Sequence, residues 1–157
     1  PRAWVIQAPA PATAAAPAAP PRPPGPPFGP PRDPGARMMA SVIDRLEAHG
    51  VRYFRTAAEM TLKVERFRIE SSKQEEREFE GHKLRTLTGA WQPFDETVRA
   101  GSLVVPMDQP LARLAFVLLD ARSDDGLMAW NVLDPLLGQN PGPEFYPVLR
   151  TMETVAR

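Results

Sequence analysis

The chain has 157 residues, with 19 basic and 19 acidic residues and therefore no formal net charge. Without a net charge it has no overall field that would draw nucleic acid or an anionic membrane surface to it, so we expect no nucleic-acid partner. Its longest apolar stretch, residues 114–119, is far shorter than the ~20 residues that span a bilayer, and it has no cysteine for a disulfide, a thiolate zinc site or a nucleophile. We therefore expect one domain without a membrane span.

The first predicted element is a β-strand in residues 1–7, formed by the apolar run Trp4-Val5-Ile6. The chain enters this strand almost at once after Pro1. We interpret it as a piece of a larger protein that continues upstream.

A proline-rich segment, residues 8–35, follows this strand. Twelve of the 20 prolines fall between Pro9 and Pro34, and most of the other residues there are Ala, Gly and Arg. Because proline lacks a backbone donor and the segment has little apolar area to bury, we predict a disordered insertion. Its PxxP pattern could recruit an SH3-like partner. We favour a tolerated insertion between two structured elements, because lengthening a surface loop costs little free energy.

The ordered body of the domain is predicted at residues 36–150 and begins with a helix. Apolar residues recur there at helical spacing. They are Met38, Met39, Val42, Ile43 and Leu46. Gly50 is typical of the residue that follows a helix end, and His49 places a basic group in the last turn. Residues 51–55 then predict a strand, so the domain starts with a β-α-β unit.

An antiparallel hairpin is predicted next, with strands at residues 60–69 and 79–87 and a charged loop between them. The apolar residues of the first strand change parity after Val64, since Phe67 and Ile69 would point to the other face. This change of phase predicts a β-bulge or a strand bend at residues 65–66.

The last third of the body predicts a strand followed by a helix. Residues 103–105 form the strand, and residues 110–119 form the helix, with Asp108 near its N-cap and Pro110 in its first turn. An edge strand is predicted at residues 147–150, and residues 151–157 form a tail. The sum is an α+β fold with a mixed β-sheet and two helices.

No common nucleophile or phosphate-binding motif occurs in the sequence. The two histidines are His49 and His82, and Glu80 would share a strand face with His82, which is half of a metal site. Zinc normally needs three protein ligands, so we interpret these residues as surface residues.

The run Ser123–Gly126 lacks the later ligands of a calcium loop and predicts a tight turn. We assign no catalytic, cofactor-binding or metal-ligating residue.

Several stretches, read in order, form a recognisable series. They are residues 1–6 (PRAWVI), 45–55 (RLEAHGVRYFR), 100–114 (AGSLVVPMDQPLARL), 118–134 (LLDARSDDGLMAWNVLD) and 146–150 (YPVLR). The series resembles the C-terminal region of bacterial zinc carboxypeptidases of the carboxypeptidase A type. Gln109-Pro110 and the segment 123–131 are its most specific parts. The chain departs from the family at Asp120-Ala121, where relatives often have Glu-Pro.

The resemblance implies a context rather than a chemistry for this chain. In the family, such a segment follows the catalytic domain, which holds zinc through an HxxE pair and a later histidine, with a further glutamate as general base. No residue here matches that motif. We therefore expect an accessory domain, structural or substrate-shaping, whose partner is the upstream catalytic domain of the same polypeptide and which is secreted or periplasmic. The alternative is a stand-alone interaction module that uses the proline-rich arm or a sheet edge.

We expect the two most specific motifs to be structural or to contact the catalytic domain. Their residues are Gln109, Pro110, Asp124, Asp125, Gly126, Trp130 and Asn131. In the second motif, which we call the SDDG-WN block (residues 123–131), the Asp-Gly turn predicts a positive φ at Gly126. Trp130 is its large apolar anchor and is expected to face the catalytic domain. Asn131 is expected to hydrogen-bond nearby backbone.

Overall fold

The computed structural model describes residues 1–9, 33–137 and 144–155. These residues form two α-helices and a six-stranded sheet, which confirms the predicted α+β class. Most of the predicted insertion at residues 8–35 lies outside the described residues. Within the described part of the chain, no helix combines the length and the apolar character that crossing a bilayer requires.

The first strand lies near the middle of the sheet, and four strands follow one another between the two helices. In chain order they are β1 (Ala3–Ile6), α1 (Pro34–Ala48), β2 (Phe54–Arg55), β3 (Met60–Gln74), β4 (Arg85–Val98), β5 (Leu103–Pro106), α2 (Ala112–Leu119), a short 3-10 helix (Asp134–Leu136) and β6 (Val148–Thr151). The sheet order is β2-β5-β1-β6-β3-β4, and every described pair is antiparallel. β1 and β2 run in the same direction, but β5 lies between them, so the predicted β-α-β unit is split and the parallel pairing of a mixed sheet does not form.

Helix α1 begins and ends at the signals in its sequence. The Asp33 carboxylate accepts the Ala36 N–H at 2.7 Å, and Pro34 occupies the first turn, where its missing donor costs nothing. At the other end, the Val51 N–H donates to the Leu46 carbonyl at 2.8 Å, and Gly50 has a φ of +69°. This pattern is a Schellman motif, and it confirms the predicted helix end.

The strands bury side chains on both faces of the sheet. On one face, Trp4 and Ile6 of β1 join Phe67 and the apolar side chains of α1 and α2 in the larger core cluster. On the other face, Val5 joins a smaller cluster with Val64. β1 is therefore buried on both sides, as a central strand must be.

This two-sided core explains the change of phase in β3. Val64 and Phe67 both keep a regular register with β4, opposite Phe94 and Trp91, so the β-bulge, one of the two predicted alternatives at residues 65–66, does not form. β3 first buries its even-numbered residues in the smaller cluster and then its odd-numbered residues in the larger one. The register shifts instead between Ile69 and Ser71.

The hairpin is longer than predicted, and its tip is a tight turn. β4 begins at Arg85 rather than residue 79 and continues to Val98. At the tip, Phe79 and His82 exchange both backbone hydrogen bonds, at 2.8 and 2.9 Å, and Glu80 and Gly81 have φ values of 50° and 79°. Two positive φ values identify a type I′ turn. Glu80 and His82 therefore do not share a strand face, and both are exposed, which agrees with their interpretation as surface residues.

Two further boundaries differ from the predictions. β6 was predicted as an edge strand, but it lies between β1 and β3, and it includes Thr151, which was assigned to the tail. Helix α2 begins at Ala112 rather than residue 110, and its cap residue, Leu111, is exposed. Asp108 therefore does not cap the helix.

Candidate functional site

Gly126 fixes the SDDG-WN block against helix α2. A Cβ atom at this position would lie 2.8 Å from the Val117 carbonyl oxygen and 2.9 Å from the Ser123 Cβ. The adjacent Leu127 N–H donates to the Leu118 carbonyl at 2.9 Å. The φ of Gly126 is not positive, so that prediction is wrong. Glycine is needed here for the close approach of two backbones.

The rest of the block turns back towards the hairpin. Asn131, rather than Gly126, has the left-handed backbone, with a φ of 65°. Its side-chain amide donates to the Lys83 carbonyl at 3.0 Å, so it bonds the backbone of the hairpin rather than that of its own turn. Arg85, at the start of β4, donates to both carboxylate oxygens of Asp134 at 2.9 and 3.1 Å. These contacts attach the block and the 3-10 helix that follows it to the β3–β4 hairpin.

Trp130 lies at the surface of this junction. It is partly buried, and its indole N–H donates to the Asp125 carboxylate at 2.8 Å. Its ring meets the His82 ring edge-on, with centroids 5.6 Å apart, and the Phe79 ring at 6.1 Å. We call Phe79, His82 and Trp130 the aromatic rim. Phe79 is 55% exposed, so the rim presents apolar area to solvent.

A cleft of about 510 Å³ opens beside the aromatic rim. One wall is helix α1, which contributes Ser41 and Arg45, together with its C-cap residue His49, and the opposite wall is the block with His82. Apolar side chains of α2, of the block and of the segment after the block complete the lining. They are Leu114, Val117, Leu118, Leu127 and Val132. The volume lies within the range of about 300–1,000 Å³ that is usual for ligand sites.

The exposed groups of the cleft are mostly basic. Arg45, His49 and His82 are exposed, whereas Leu118 is buried. Within the described residues, the Arg45 guanidinium makes no hydrogen bond or ion pair. Asp125 is the carboxylate among the lining residues, and one of its oxygens already accepts the Trp130 indole N–H. The cleft thus has an apolar interior and a basic opening.

The other predicted motif lies outside the cleft and has a structural role. Gln109 is buried, and its side chain bonds the backbone of Arg52 in both directions, at 2.8 and 3.0 Å. Its amide also donates to the Pro106 carbonyl at 2.6 Å. Gln109 therefore fixes the chain before β2 against the end of β5. Pro110 is exposed and lines a separate shallow hollow with Leu111.

The structure thus brings four of the seven predicted residues to the cleft: Asp125, Gly126, Trp130 and Asn131. Asp124 is exposed beside them and is not among the lining residues.

Sequence reasoning missed the α1 wall of the cleft. Ser41, Arg45 and His49 recur every four residues, so they share one side of the helix next to the buried stripe. The spacing of these three residues was visible in the sequence. The sequence did not show which part of the chain they would face.

The described residues contain no group of three or more His, Cys, Asp or Glu side chains that could hold a metal ion.

No protein-family model, no curated protein and no solved structure matches the chain.

Proposed function

We propose that this chain is the C-terminal accessory domain of a zinc metallocarboxypeptidase-like protein, with a structural or substrate-shaping role. In this proposal the domain contacts the upstream catalytic domain of the same polypeptide through the aromatic rim. The resemblance of the sequence motifs suggests the partner, and the aromatic rim is the observation that carries the contact.

The aromatic rim has the character of an interface rather than of an ordinary turn. Trp130 and Phe79 are the kinds of side chain that dominate protein interfaces, and Phe79 is more than half exposed. The turn that presents Phe79 holds Glu80 at a φ of 50°, which costs a residue with a side chain roughly 1–2 kcal/mol. A type I′ turn requires this backbone and usually has Asn, Asp or Gly at the position that Glu80 occupies.

The chemistry of the proposed protein belongs to its catalytic domain. Neither His49 nor His82 begins an HxxE pair, so no zinc ligand is carried over to this chain. The contribution of this domain is therefore to shape and cover the surface next to the catalytic site, not to bind the metal.

The alternative of a stand-alone interaction module has less support. Its proline-rich arm lies mostly outside the described residues. The long outer strand, β4, carries Pro93 in its middle. Proline offers no N–H to an added strand and is typical of edges that resist such pairing.

The proposal is tested first by the sequence encoded upstream of Pro1 in the same reading frame. We expect an HxxE pair followed by a later histidine. An upstream reading frame that is complete and lacks this pattern would overturn the family assignment and would leave the interaction module as the better proposal.

A further inference from the structure

The cleft combines an apolar interior with basic groups at its opening. Leu114, Val117 and Val132 are partly buried lining residues that a ligand can reach. Burial of apolar ligand area against such side chains supplies most of the affinity of small-ligand sites, while a few polar groups fix the orientation.

The polar groups of the cleft favour an anion. Arg45 has no ion pair with any described residue, and His49 lies one helical turn further along the same wall. His82 adds a ring N–H donor from the opposite wall. One oxygen of the Asp125 carboxylate accepts the Trp130 indole N–H, and no ion pair joins this carboxylate to Arg45. The opening therefore offers a guanidinium whose charge no described carboxylate pairs.

We propose that the cleft binds an apolar carboxylate: a small molecule whose apolar chain or ring packs on the α2 wall and on Trp130, and whose carboxylate accepts hydrogen bonds from Arg45. Arginine suits this role because its planar guanidinium matches the two oxygens of a carboxylate. The inference goes beyond the proposed function and does not depend on it, because it concerns a site formed by this chain alone. The same chemistry is offered by the C-terminal residue of an apolar peptide and by a free apolar acid.

Calorimetric titration of the 157-residue chain tests the proposal with N-acetyl-leucine, N-acetyl-leucine amide and hexanoate as probes. We expect N-acetyl-leucine to bind and its amide to bind at least roughly tenfold more weakly, since the amide loses a charge-assisted hydrogen bond. Binding of hexanoate with similar affinity would identify a site for free acids. Binding of N-acetyl-leucine alone would identify a site for peptide C-termini.

Three variants separate the cleft from nonspecific binding. Arg45→Gln should weaken N-acetyl-leucine binding to the level of the amide. Arg37→Gln is the matched control, because Arg37 is exposed on the same helix and does not line the cleft. Ser41→Trp places a large ring in the cleft from an exposed position and should abolish binding without unfolding the chain, as circular dichroism would show.

Several results would overturn the proposal. They are equal affinities for the acid and the amide, equal effects of Arg45→Gln and Arg37→Gln, or unchanged binding in Ser41→Trp. The absence of binding by every probe at a concentration on the order of 10 mM, where weak specific binding is still detected, would also overturn it. None of them bears on contact with a catalytic domain, which is measured in the longer protein.

Discussion

At Gly126, space rather than backbone conformation excludes a side chain. The atoms that an added Cβ would meet are the Val117 carbonyl oxygen and the Ser123 Cβ, and the former belongs to the backbone of α2. Backbone atoms of a helix cannot move aside as the end of a flexible side chain can. The close approach therefore ties the SDDG-WN block rigidly to the wall of the cleft.

Gly126→Ala should lower the free energy of unfolding by about 1–3 kcal/mol, because the added methyl group forces the block away from α2. Gly81→Ala is the comparison: Gly81 has a φ of +79° but nothing within 4 Å of the added Cβ, so it tests conformational strain alone. Urea unfolding of both variants measures the difference. A smaller loss in Gly126→Ala than in Gly81→Ala would contradict the steric explanation.

Tyr146 gives the domain a dependence on alkaline pH. Burial, and secondarily the negative charge of Asp120, raise the pKa of the Tyr146 hydroxyl far above its ordinary value. The hydroxyl donates to the Leu119 carbonyl at 3.0 Å. Because the unfolded chain releases this proton near pH ~10 while the folded chain keeps it, stability should be lost as the pH rises above about 10.

Tyr146→Phe should show a smaller loss of stability between about pH 9 and 11 than the parent chain, although it costs about 1 kcal/mol at neutral pH through the lost hydrogen bond. The free energy of unfolding, measured across this range for both chains, checks the prediction. Parallel curves would mean that Tyr146 does not titrate differently in the two states. Tyr53 is present in both chains and cancels from the comparison.

Among the elements, the hairpin tip stores strain that a substitution can remove. Glu80 occupies the first central position of the type I′ turn, where Asn is favoured because it tolerates the left-handed region. The turn holds Phe79 and His82 against Trp130, so its stability sets how firmly the aromatic rim is presented.

Glu80→Asn should raise the melting temperature by about 2–4 °C, which corresponds to roughly 1 kcal/mol in a domain of this size. Glu76→Asn is the matched control, because Glu76 is an exposed residue of the same loop with no positive φ. It should leave the melting temperature nearly unchanged. Equal shifts in the two variants would show that charge, not backbone strain, is responsible.

The elements also show which parts of the fold a sequence can predict. α1 was predicted well because its ends depend on local residues, above all Gly50. β6 was misplaced because its central position depends on pairing with β1, about 145 residues earlier in the chain. The phase of β3 was misread for a similar reason. The alternation of apolar and polar residues shows which residues are buried. It does not show that the two halves of one strand bury side chains on opposite faces of the sheet.

At the scale of the whole molecule, the candidate site was only half predictable. The SDDG-WN block was recognised as a motif, and Trp130 as its anchor. The cleft needs three distant parts of the chain: the polar stripe of α1 at Arg45, the hairpin tip at His82, and the block itself. Their meeting is a property of tertiary packing, which no local pattern specifies.

The proline-rich segment should be dispensable for folding. Its two ends are close together, since a Cβ added at Gly35 would lie 3.3 Å from the Pro9 Cβ. A short Gly/Ser linker in place of residues 10–32 should leave the melting temperature within a few degrees, because the closure cost changes by only ~0.6 kcal/mol per doubling of length. Loss of cooperative thermal unfolding in this variant would show that the segment packs on the domain.

The proposed contact joins the aromatic rim to a catalytic domain in the longer protein. The most direct measurement is the effect of Phe79→Ala on thermal unfolding, in this chain and in the longer protein, with Met152→Ala as a control of equal exposure, 55% in both cases. In this chain we expect both substitutions to cost less than about 1 kcal/mol, because both side chains are largely in solvent. In the longer protein Phe79→Ala should cost at least ~2 kcal/mol, as interface aromatic residues do, and Met152→Ala should cost no more than before. Equally small effects of Phe79→Ala in the two proteins would contradict the proposed contact.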